Sequence, residues 1–399
     1  MDRNQGTRCL STHVFIALSM VVVSFLISYV YHFIRDSTFS HHREILSNQI
    51  DDVYDYVIVG GGSAGSVLAS RLSEDKNSRV LLLEAGGFYD EDPLFHVPIH
   101  SFELGDNIHD WNYYTVSQNV SCLGLNENQS IWPRGRVLGG TSVINGMQYT
   151  RGSRYDYDEW AANGCQGWSY KEVLPYFLKS EDIQIDELKS SKYHHSGGPL
   201  AVSDGHVTKL SDLYIKAGQE LGFNITDYNG ADQEGFNKIQ TTVRNGVRDS
   251  AGLAFLGRIG KRANLDIVVK TFVTKVNIKD KKAHGLFYIY KGRKSYVSAR
   301  KEVILSAGAI NSPQLLMLSG VGPKNHLQSL NIPVIVDLPV GDNMQDHQMI
   351  FLSSKINRPI SLTDELLNSF WTHLGTRYLA LVHLLRQDLR AQHSFTAMS

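Results

Sequence analysis

The chain has 399 residues, of which 39 are Lys or Arg and 40 are Asp or Glu, so its net charge is −1. With 42% hydrophobic and 20% charged residues, the composition argues against a disordered chain and against a polytopic membrane protein. The balanced charge gives no electrostatic reason to expect nucleic acid as a partner, and the length suggests two or three domains.

The first predicted element is an apolar segment at residues 14–34, which read VFIALSMVVVSFLISYVYHFI. No Asp, Glu, Lys or Arg lies between Arg8 and Arg35. A helix over these residues is about 31 Å long at about 1.5 Å per residue, enough to cross a hydrocarbon core. We therefore predict a transmembrane signal anchor, with a cleaved signal peptide and a buried helix as alternatives.

The residues that flank this segment bear on membrane orientation. Two arginines lie on each side, and only the N-terminal amine adds positive charge to the first 13 residues. We expect residues 1–13 to form a cytosolic tail and the protein to be single-pass, with its main domain lumenal or extracellular. Signal cleavage would instead make the protein secreted. Residues 35–52, which are polar, form a linker.

The chain contains three cysteines, Cys9, Cys122 and Cys165. They are too few and too scattered for a disulfide scaffold, and no CxxC or Cys/His cluster indicates a metal site. Three independent thiols are the simpler interpretation. A disulfide between Cys122 and Cys165 is the alternative, and it would require an oxidising compartment.

The first glycine cluster, GGGSAG at residues 60–65, lies between two apolar runs. Residues 56–59 (YVIV) and 79–84 (RVLLLE) predict strands that are buried on both faces. Between them, apolar residues at helical spacing predict a helix at 66–73. A G-x-G-x-x-G turn in this strand–helix–strand context predicts a dinucleotide-binding fold.

Each residue of this turn has a physical role in such a fold. Gly60 permits the tight turn, Gly62 lets the backbone approach a pyrophosphate at the helix N-terminus, and Gly65 allows close packing of helix and strand. Glu84, 19 residues after Gly65, is placed to accept hydrogen bonds from ribose hydroxyls. This unit alone does not distinguish NAD from FAD.

Two further glycine clusters follow. In residues 132–152 (WPRGRVLGGTSVINGMQYTRG), a tight backbone with hydroxyl groups could lie against a flat polar ring or a phosphate. Asn145 can both donate and accept hydrogen bonds, as a flavin edge requires. Residues 308–322 (GAINSPQLLMLSGVG) follow a predicted strand at 302–306, and there Pro313 suits the first turn of a helix and Gly320 its C-terminal stop.

At these segments the chain resembles the glucose–methanol–choline (GMC) oxidoreductases, which include choline dehydrogenases and FAD-dependent glucose dehydrogenases. Residues 135–145 resemble the first motif of the family and residues 308–322 its second. Residues 341–347 (GDNMQDH) resemble its G-x-N-L-x-D-H element, with Met344 in place of Leu. The resemblance extends over about residues 55–359, so the chain looks like a C-terminally incomplete member.

The resemblance implies an α/β fold, with a Rossmann-like FAD-binding domain interleaved with a partial α+β substrate domain. The FAD-binding region would cover residues 53–348, with substrate-domain pieces at about 155–265. Residues 349–399 would be a partial substrate domain or a divergent C-terminus. A pair of strands is expected within 266–278, and alternating or aromatic residues predict strands at 272–278 and 286–290. Helical pieces are expected at 158–160 and 172–177.

The implied cofactor is FAD, bound noncovalently because Ile144 occupies the position where some members tether the flavin through a His. The residues expected to contact FAD are Gly60, Gly62, Ser63, Ala64, Gly65, Glu84, Val137, Gly140, Thr141, Asn145, Gly146, Met147, Val273, Gly308 and Asn343.

The implied reaction removes a hydroxyl proton from a small-molecule alcohol or sugar and passes the carbinol hydride to flavin N5. Such a reaction needs a base, and the family supplies a His from a stretch well beyond the second motif. Here His373 and His383 lie on a predicted amphipathic helix, and no catalytic residue can be carried over. The electron acceptor, quinone or oxygen, cannot be inferred.

Three functional hypotheses therefore remain. The first is a GMC flavoenzyme in a shortened form that lacks the catalytic His. The second is a membrane-tethered, non-catalytic FAD-binding protein or an inactive truncated form. The third is an NAD dehydrogenase, against which the two later glycine clusters argue.

Overall fold

A six-stranded sheet runs through the part of the chain that the computed structural model describes, residues 46–99, 108–205, 208–347, 349, 352–361 and 363. These residues belong to one structural unit, Glu44–Asn368. The predicted anchor at 14–34 and the predicted amphipathic helix after residue 363 lie outside the described residues. Within the described ranges, no helix is long and apolar enough to cross a bilayer.

The helices and strands of these ranges are as follows. The α-helices are α1 Ser63–Leu72, α2 Arg154–Ala162, α3 Tyr170–Ser180, α4 Lys209–Glu220, α5 Gly308–Leu318 and α6 Lys324–Ser329. The strands are β1 Val53–Val59, β2 Val80–Leu83, β3 Tyr113–Tyr114, β4 Ile131–Trp132, β5 Glu181–Ile183, β6 Leu200–Asp204, β7 Gln240–Thr241, β8 Val243–Arg244, β9 Val247–Arg248, β10 Leu265–Val268, β11 Thr271–Lys279, β12 Lys282–Tyr290, β13 Arg293–Leu305, β14 Val321–Gly322 and β15 Val336–Asp337.

The strand order of the large sheet is β10-β2-β1-β13-β12-β11. The first four strands are parallel, and β13, β12 and β11 form an antiparallel meander. Strand β13 belongs to both parts: residues 293–298 pair with β12 and residues 298–305 pair with β1. The late part of the chain therefore returns to the sheet that β1 and β2 begin.

The core lies on both faces of β1 and β2, because successive strand residues point to opposite faces. Ile58 and Leu82 belong to one apolar cluster, which includes Ala69 of α1. Val57 and Leu81 belong to the other, which the meander and α5 cover. All of the β2 side chains are buried, which confirms the prediction of a strand enclosed on both faces.

Several element boundaries differ from the sequence-based expectation. Strand β13 begins at Arg293, well before residue 302, because residues 293–298 pair with β12. Pro313 is the sixth residue of α5, not part of its first turn, because Gly308, at φ 87°, opens the helix directly after the strand. Proline costs one backbone hydrogen bond there. Gly320, at φ 91°, follows the end of α5, which confirms its predicted role.

A smaller part of the structure lies between the second and third glycine clusters. Strands β5, β6 and β7 form a mixed three-stranded sheet, with β5 parallel and β7 antiparallel to β6. Helices α2 and α3 include the predicted helical pieces. The side chain of Ser153 caps α2 by accepting a hydrogen bond from the backbone N–H of Tyr155.

A buried cluster of charged residues connects this smaller part to Arg151, which belongs to the second glycine cluster. Arg151 Nη2 lies 2.8 Å from Glu181 Oε1. His194 Nδ1 lies 3.0 Å from the same carboxylate oxygen, and His194 Nε2 lies 2.8 Å from Asp227 Oδ2. With His194 protonated, the two cations balance the two anions.

The described cysteines, Cys122 and Cys165, are both free thiols. This agrees with the simpler interpretation of independent thiols and not with a disulfide between them. Cys9 lies outside the described residues.

Candidate functional site

A cavity of about 620 Å³ lies at the carboxyl ends of β1, β2 and β13. Because parallel strands point the same way, their carboxyl ends and the N-termini of the helices that follow meet at one edge of the sheet. Here Gly62 and Ser63 at the start of α1 and Gly308 at the start of α5 all line the cavity. Two helix N-termini thus face the same space.

The three glycine clusters of the sequence meet at this edge. A Cβ at Gly60 would lie 2.5 Å from the Ser306 carbonyl oxygen, and a Cβ at Gly65 would collide with the Gly60 carbonyl oxygen. A Cβ at Gly140 would lie 2.7 Å from Gly62 Cα. These close backbone approaches explain why glycine is needed, and they join segments from three regions of the chain into one wall.

The start of α1 is suited to an anion. Its N-cap is Gly62, no described side chain caps the helix, and its first turn carries no acidic residue. The first backbone N–H groups of a helix lack intrahelical acceptors and carry a partial positive charge. A Cβ at Gly62 would have its nearest neighbour at 3.9 Å, so space remains in front of these donors. The diphosphate of a dinucleotide fits this position.

Glu84 directly follows β2 and is one of the residues that line the cavity. Its Oε2 accepts a hydrogen bond from the Gly61 backbone N–H at 2.8 Å, and its Oε1 accepts one from the Gly86 N–H at 2.7 Å. Burial raises the pKa of Glu84 to about 7, although these two hydrogen bonds oppose the effect. Each oxygen keeps a lone pair that could accept a bond from a ligand hydroxyl.

Aromatic residues form another wall of the cavity. Trp111 and Tyr113 stack with ring centroids 6.0 Å apart and planes within 6°, and the Arg136 guanidinium lies 4.9 Å from the Trp111 centroid. Tyr113 donates a hydrogen bond from its hydroxyl to Asn311 Oδ1 at 2.6 Å. Tyr113, Asn311 and Phe272, which also lines the cavity, were not identified from the sequence. The position of Asn311 inside the third glycine cluster was an available signal.

The structure brings most of the predicted cofactor-contacting residues to the cavity. Those that line it are Gly60, Gly62, Ser63, Ala64, Glu84, Gly140, Thr141, Val273 and Gly308. Gly65 lies behind the turn against Gly60. Their contact with a cofactor remains a prediction.

The other predicted residues do not line this cavity. Val137 is fully buried in the core, where its backbone forms a bridge with Gly87. Asn145, Gly146 and Met147 form a turn beyond the cavity wall, in which Met147 has φ 62°. Asn343 is exposed, and its Oδ1 accepts a hydrogen bond from the Gln345 side chain.

The turn that contains Asn145 accepts hydrogen bonds from a buried arginine, Arg248, which has no recognisable motif in the sequence. Arg248, at the end of β9, is 1% exposed. Its Nη1 donates to Asn145 Oδ1 at 2.8 Å and to the Asn145 carbonyl oxygen at 2.6 Å.

The chemistry of the cavity is that of a binding site. Its lining supplies backbone N–H groups at helix N-termini together with side-chain donors such as Arg134 and Gln314, and Glu84 is the acceptor placed for hydroxyl groups. Among the described histidines, none is part of the cavity lining. The described lining therefore offers recognition of a nucleotide but no imidazole base.

Comparison with known proteins identifies close relatives. Residues 54–349 match the family model described as GMC oxidoreductase. The chain is 46% identical over 308 residues to glucose dehydrogenase [FAD, quinone] of Drosophila melanogaster, covering 75% of this chain and 49% of that protein. It is 44% identical over 324 residues to the mitochondrial choline dehydrogenase of Homo sapiens, covering 78% and 53%.

A solved structure of similar fold also matches the chain. Pyridoxine 4-oxidase from Mesorbium loti superposes with a TM-score of 0.67 and 35% sequence identity, covering 72% of this chain and 55% of that one. The chain thus spans about half the length of the curated relatives it matches.

Proposed function

Because the chain belongs to the GMC oxidoreductase family, we propose that its described part binds FAD noncovalently in the cavity at the carboxyl ends of β1, β2 and β13. The observation that carries this proposal is the convergence of three glycine clusters on a cavity that faces the uncapped start of α1. When bound, FAD would supply the acceptor for a hydride from a CH–OH group.

The residues of this chain have distinct roles in the proposal. The N-terminus of α1 holds the diphosphate, Glu84 accepts hydrogen bonds from the adenosine ribose, and the backbone at Val273 lies beside the adenine. Thr141, which lines the cavity, and Asn145, which is exposed in the turn beyond the cavity wall, would both border the isoalloxazine where it extends past that wall. Ile144, which is 7% exposed, has an apolar side chain that cannot form a covalent tether to the flavin.

For the whole protein, we propose oxidation of a small-molecule alcohol or sugar, with a quinone or oxygen as electron acceptor. The support is the relatives' names, glucose dehydrogenase [FAD, quinone] and choline dehydrogenase. A second candidate is a non-catalytic FAD-binding protein. The observation that favours it is the lack of an imidazole among the described residues that line the cavity.

A pair of glycine substitutions tests FAD binding. Gly62→Ala adds a methyl group that the fold has room for but that occupies the proposed diphosphate position, so FAD affinity should fall at least tenfold while thermal stability is kept. Gly124→Ala is the matched control, because a Cβ there meets nothing within 4 Å and Gly124 is not among the residues that line the cavity.

Flavin fluorescence titration and thermal shift measure these variants. A purified wild-type chain without flavin absorbance or FAD affinity would refute the proposal, as would equal FAD affinity in the two variants. Bleaching of bound flavin by glucose, choline or another alcohol under anaerobic conditions would support the enzyme. Bound flavin that none of these donors reduces would favour the non-catalytic candidate.

We also propose that the protein is a single-pass membrane protein, with its main domain lumenal or extracellular. The apolar segment at residues 14–34 supports this proposal. Extraction of cell membranes with alkaline carbonate is the test: the full chain should remain in the pellet, whereas secretion after cleavage would release it into the medium.

A further inference from the structure

Arg248 is a buried cation attached to the turn that contains Asn145. Its Nη1 atom donates to three oxygens of that turn, the Ser142 carbonyl at 3.3 Å, the Asn145 carbonyl at 2.6 Å and Asn145 Oδ1 at 2.8 Å. These bonds connect β9 to residues about 100 positions earlier in the chain. A single guanidinium therefore sets the position of both the backbone and the side chain of Asn145.

These contacts fix which end of the Asn145 carboxamide faces outward. The inward atom is bonded to Arg248 Nη1 and, at 3.0 Å, to the backbone N–H of Met147. Both partners can only donate, so the inward atom must be the carbonyl oxygen. The NH2 group consequently faces the other way, and Asn145 is an exposed residue. An asparagine carboxamide can both donate and accept hydrogen bonds. In this turn the outward group of Asn145 is its NH2, which can only donate.

Among the residues that the structure describes, Arg248 has no counter-ion. Its Nε and Nη2 atoms are buried and make no hydrogen bond with any residue that the structure describes. Burial alone accounts for the lowered pKa of about 10. The adjacent carboxylate of Asp249 is ion-paired elsewhere, with Arg258 at 2.6 Å and with Arg244 at 3.4 Å. An unpaired buried cation is costly to fold, unlike Arg151, which is paired with Glu181.

We propose that Arg248 is a positioning residue of the flavin site, which holds Asn145 as an outward hydrogen-bond donor and places a positive charge behind the same turn. This inference rests on the proposed function, in which Asn145 lies along the isoalloxazine. Reduction adds negative charge to the ring system, so a donor on its surface and a cation behind that donor both favour the reduced state. Arg248 would therefore change the affinity for FAD and the reduction potential of the bound flavin. It need not touch the substrate to do so.

Two substitutions separate the two parts of this role. Arg248→Met removes the charge and releases Asn145. Asn145→Asp keeps an acceptor for Arg248 and for the Met147 N–H, but it replaces the outward donor with an oxygen and neutralises the cation. Arg244→Met is the matched control, because Arg244 is a neighbouring arginine whose described partners are Asp182 and Asp249 and the Pro199 carbonyl oxygen, not the turn.

The measurements are the FAD dissociation constant and the two-electron reduction potential of bound flavin, obtained by equilibration with a reference dye. Arg248→Met and Asn145→Asp should each weaken FAD binding at least tenfold. Each should also disfavour reduction at least tenfold, a negative shift of about 30 mV for a two-electron couple. Arg244→Met should lower the melting temperature and leave the potential unchanged.

A folded, FAD-loaded Arg248→Met protein with the wild-type potential would overturn the inference, and so would an equal shift in Arg244→Met. If Arg248→Met does not fold, the reduction potential of Asn145→Asp tests the inference instead. That variant keeps the hydrogen bonds of the side chain at position 145 with Arg248 and with the Met147 N–H. A wild-type chain that binds no FAD would overturn the proposed function and this inference together. A chain that binds FAD but keeps the same reduction potential when Arg248 is replaced would overturn this inference alone.

Discussion

Replacing His194 by Gln should remove a pH dependence of stability that the buried charged cluster creates. His194 is enclosed between Glu181 and Asp227, and its side chain is fully buried. Burial by itself would lower the pKa of His194, but the hydrogen bonds and negative charges of Asp227 and Glu181 outweigh it and raise the pKa from 6.5 to about 9. Gln keeps a donor for Asp227 but can never carry charge.

The sign and size of the effect follow from this raised pKa. A histidine whose folded pKa exceeds its unfolded pKa stabilises the fold fully below pH 6.5, and that contribution is lost as the pH rises through about 9. At 1.36 kcal/mol per pH unit the interval corresponds to about 3 kcal/mol. Asp227 is 17% exposed, so solvent screening reduces the expected value to about 2 kcal/mol.

Urea unfolding followed by tryptophan fluorescence, at several pH values from about 6 to about 9.5, measures this contribution. The stability difference between wild type and His194→Gln should be largest at the acidic end and shrink by about 2 kcal/mol at the basic end. His195→Gln is the control, because His195 is exposed and only its backbone N–H contacts Glu181. A difference that stays constant across the range would refute the assignment of a protonated His194.

Three shorter predictions concern other sites. Glu84→Gln places an amide NH2 group against one of the two backbone N–H donors, so it should cost about 1–3 kcal/mol of stability and weaken FAD binding, measured by unfolding and by flavin titration. Ser319→Ala removes the hydroxyl that accepts from the Val276 N–H at 2.8 Å; leaving that buried donor unpaired should destabilise the chain by about 1–3 kcal/mol, and an unchanged urea midpoint would contradict this. Cys122 and Cys165 should both react with a thiol reagent in the native, non-reduced protein, and full protection of both would restore the disulfide hypothesis.

The parts of the fold that could be predicted from the sequence are those determined by residues close together in the chain. The apolar runs of β1 and β2 are short and enclose a glycine turn, so strand, turn and helix follow from neighbouring residues. The start of β13 was missed because residues 293–298 (RKSYVS) are mostly polar, and their strand conformation depends on pairing with β12, which the sequence does not show. Pro313 was misplaced because the helix start depends on the turn at Gly308.

Site residues could be predicted where a glycine marks a close approach between two backbone segments. They could not be predicted where a residue's position depends on a partner far away in the sequence. Gly60, Gly62 and Gly140 reach the cavity wall as their motifs suggested. Val137 instead points into the core, because a bridge to Gly87 holds its backbone. Arg248 carries no motif of its own, and its importance appears only when its contact with Asn145, 103 residues away, is known.

The pairing of β1 with β13 has a consequence for synthesis on the ribosome. Val53 pairs with Ser298, 245 residues later, and the Gly60 turn is closed by Ser306. At about 5–20 residues per second, the ribosome needs about 12–50 s to make the intervening chain. Throughout that time one edge of β1 lacks its partner, and the cavity lacks the wall that β13 and α5 provide. Cofactor loading is therefore a late event in the life of each nascent chain, and until then the unpaired edge of β1 is open to pairing with another chain.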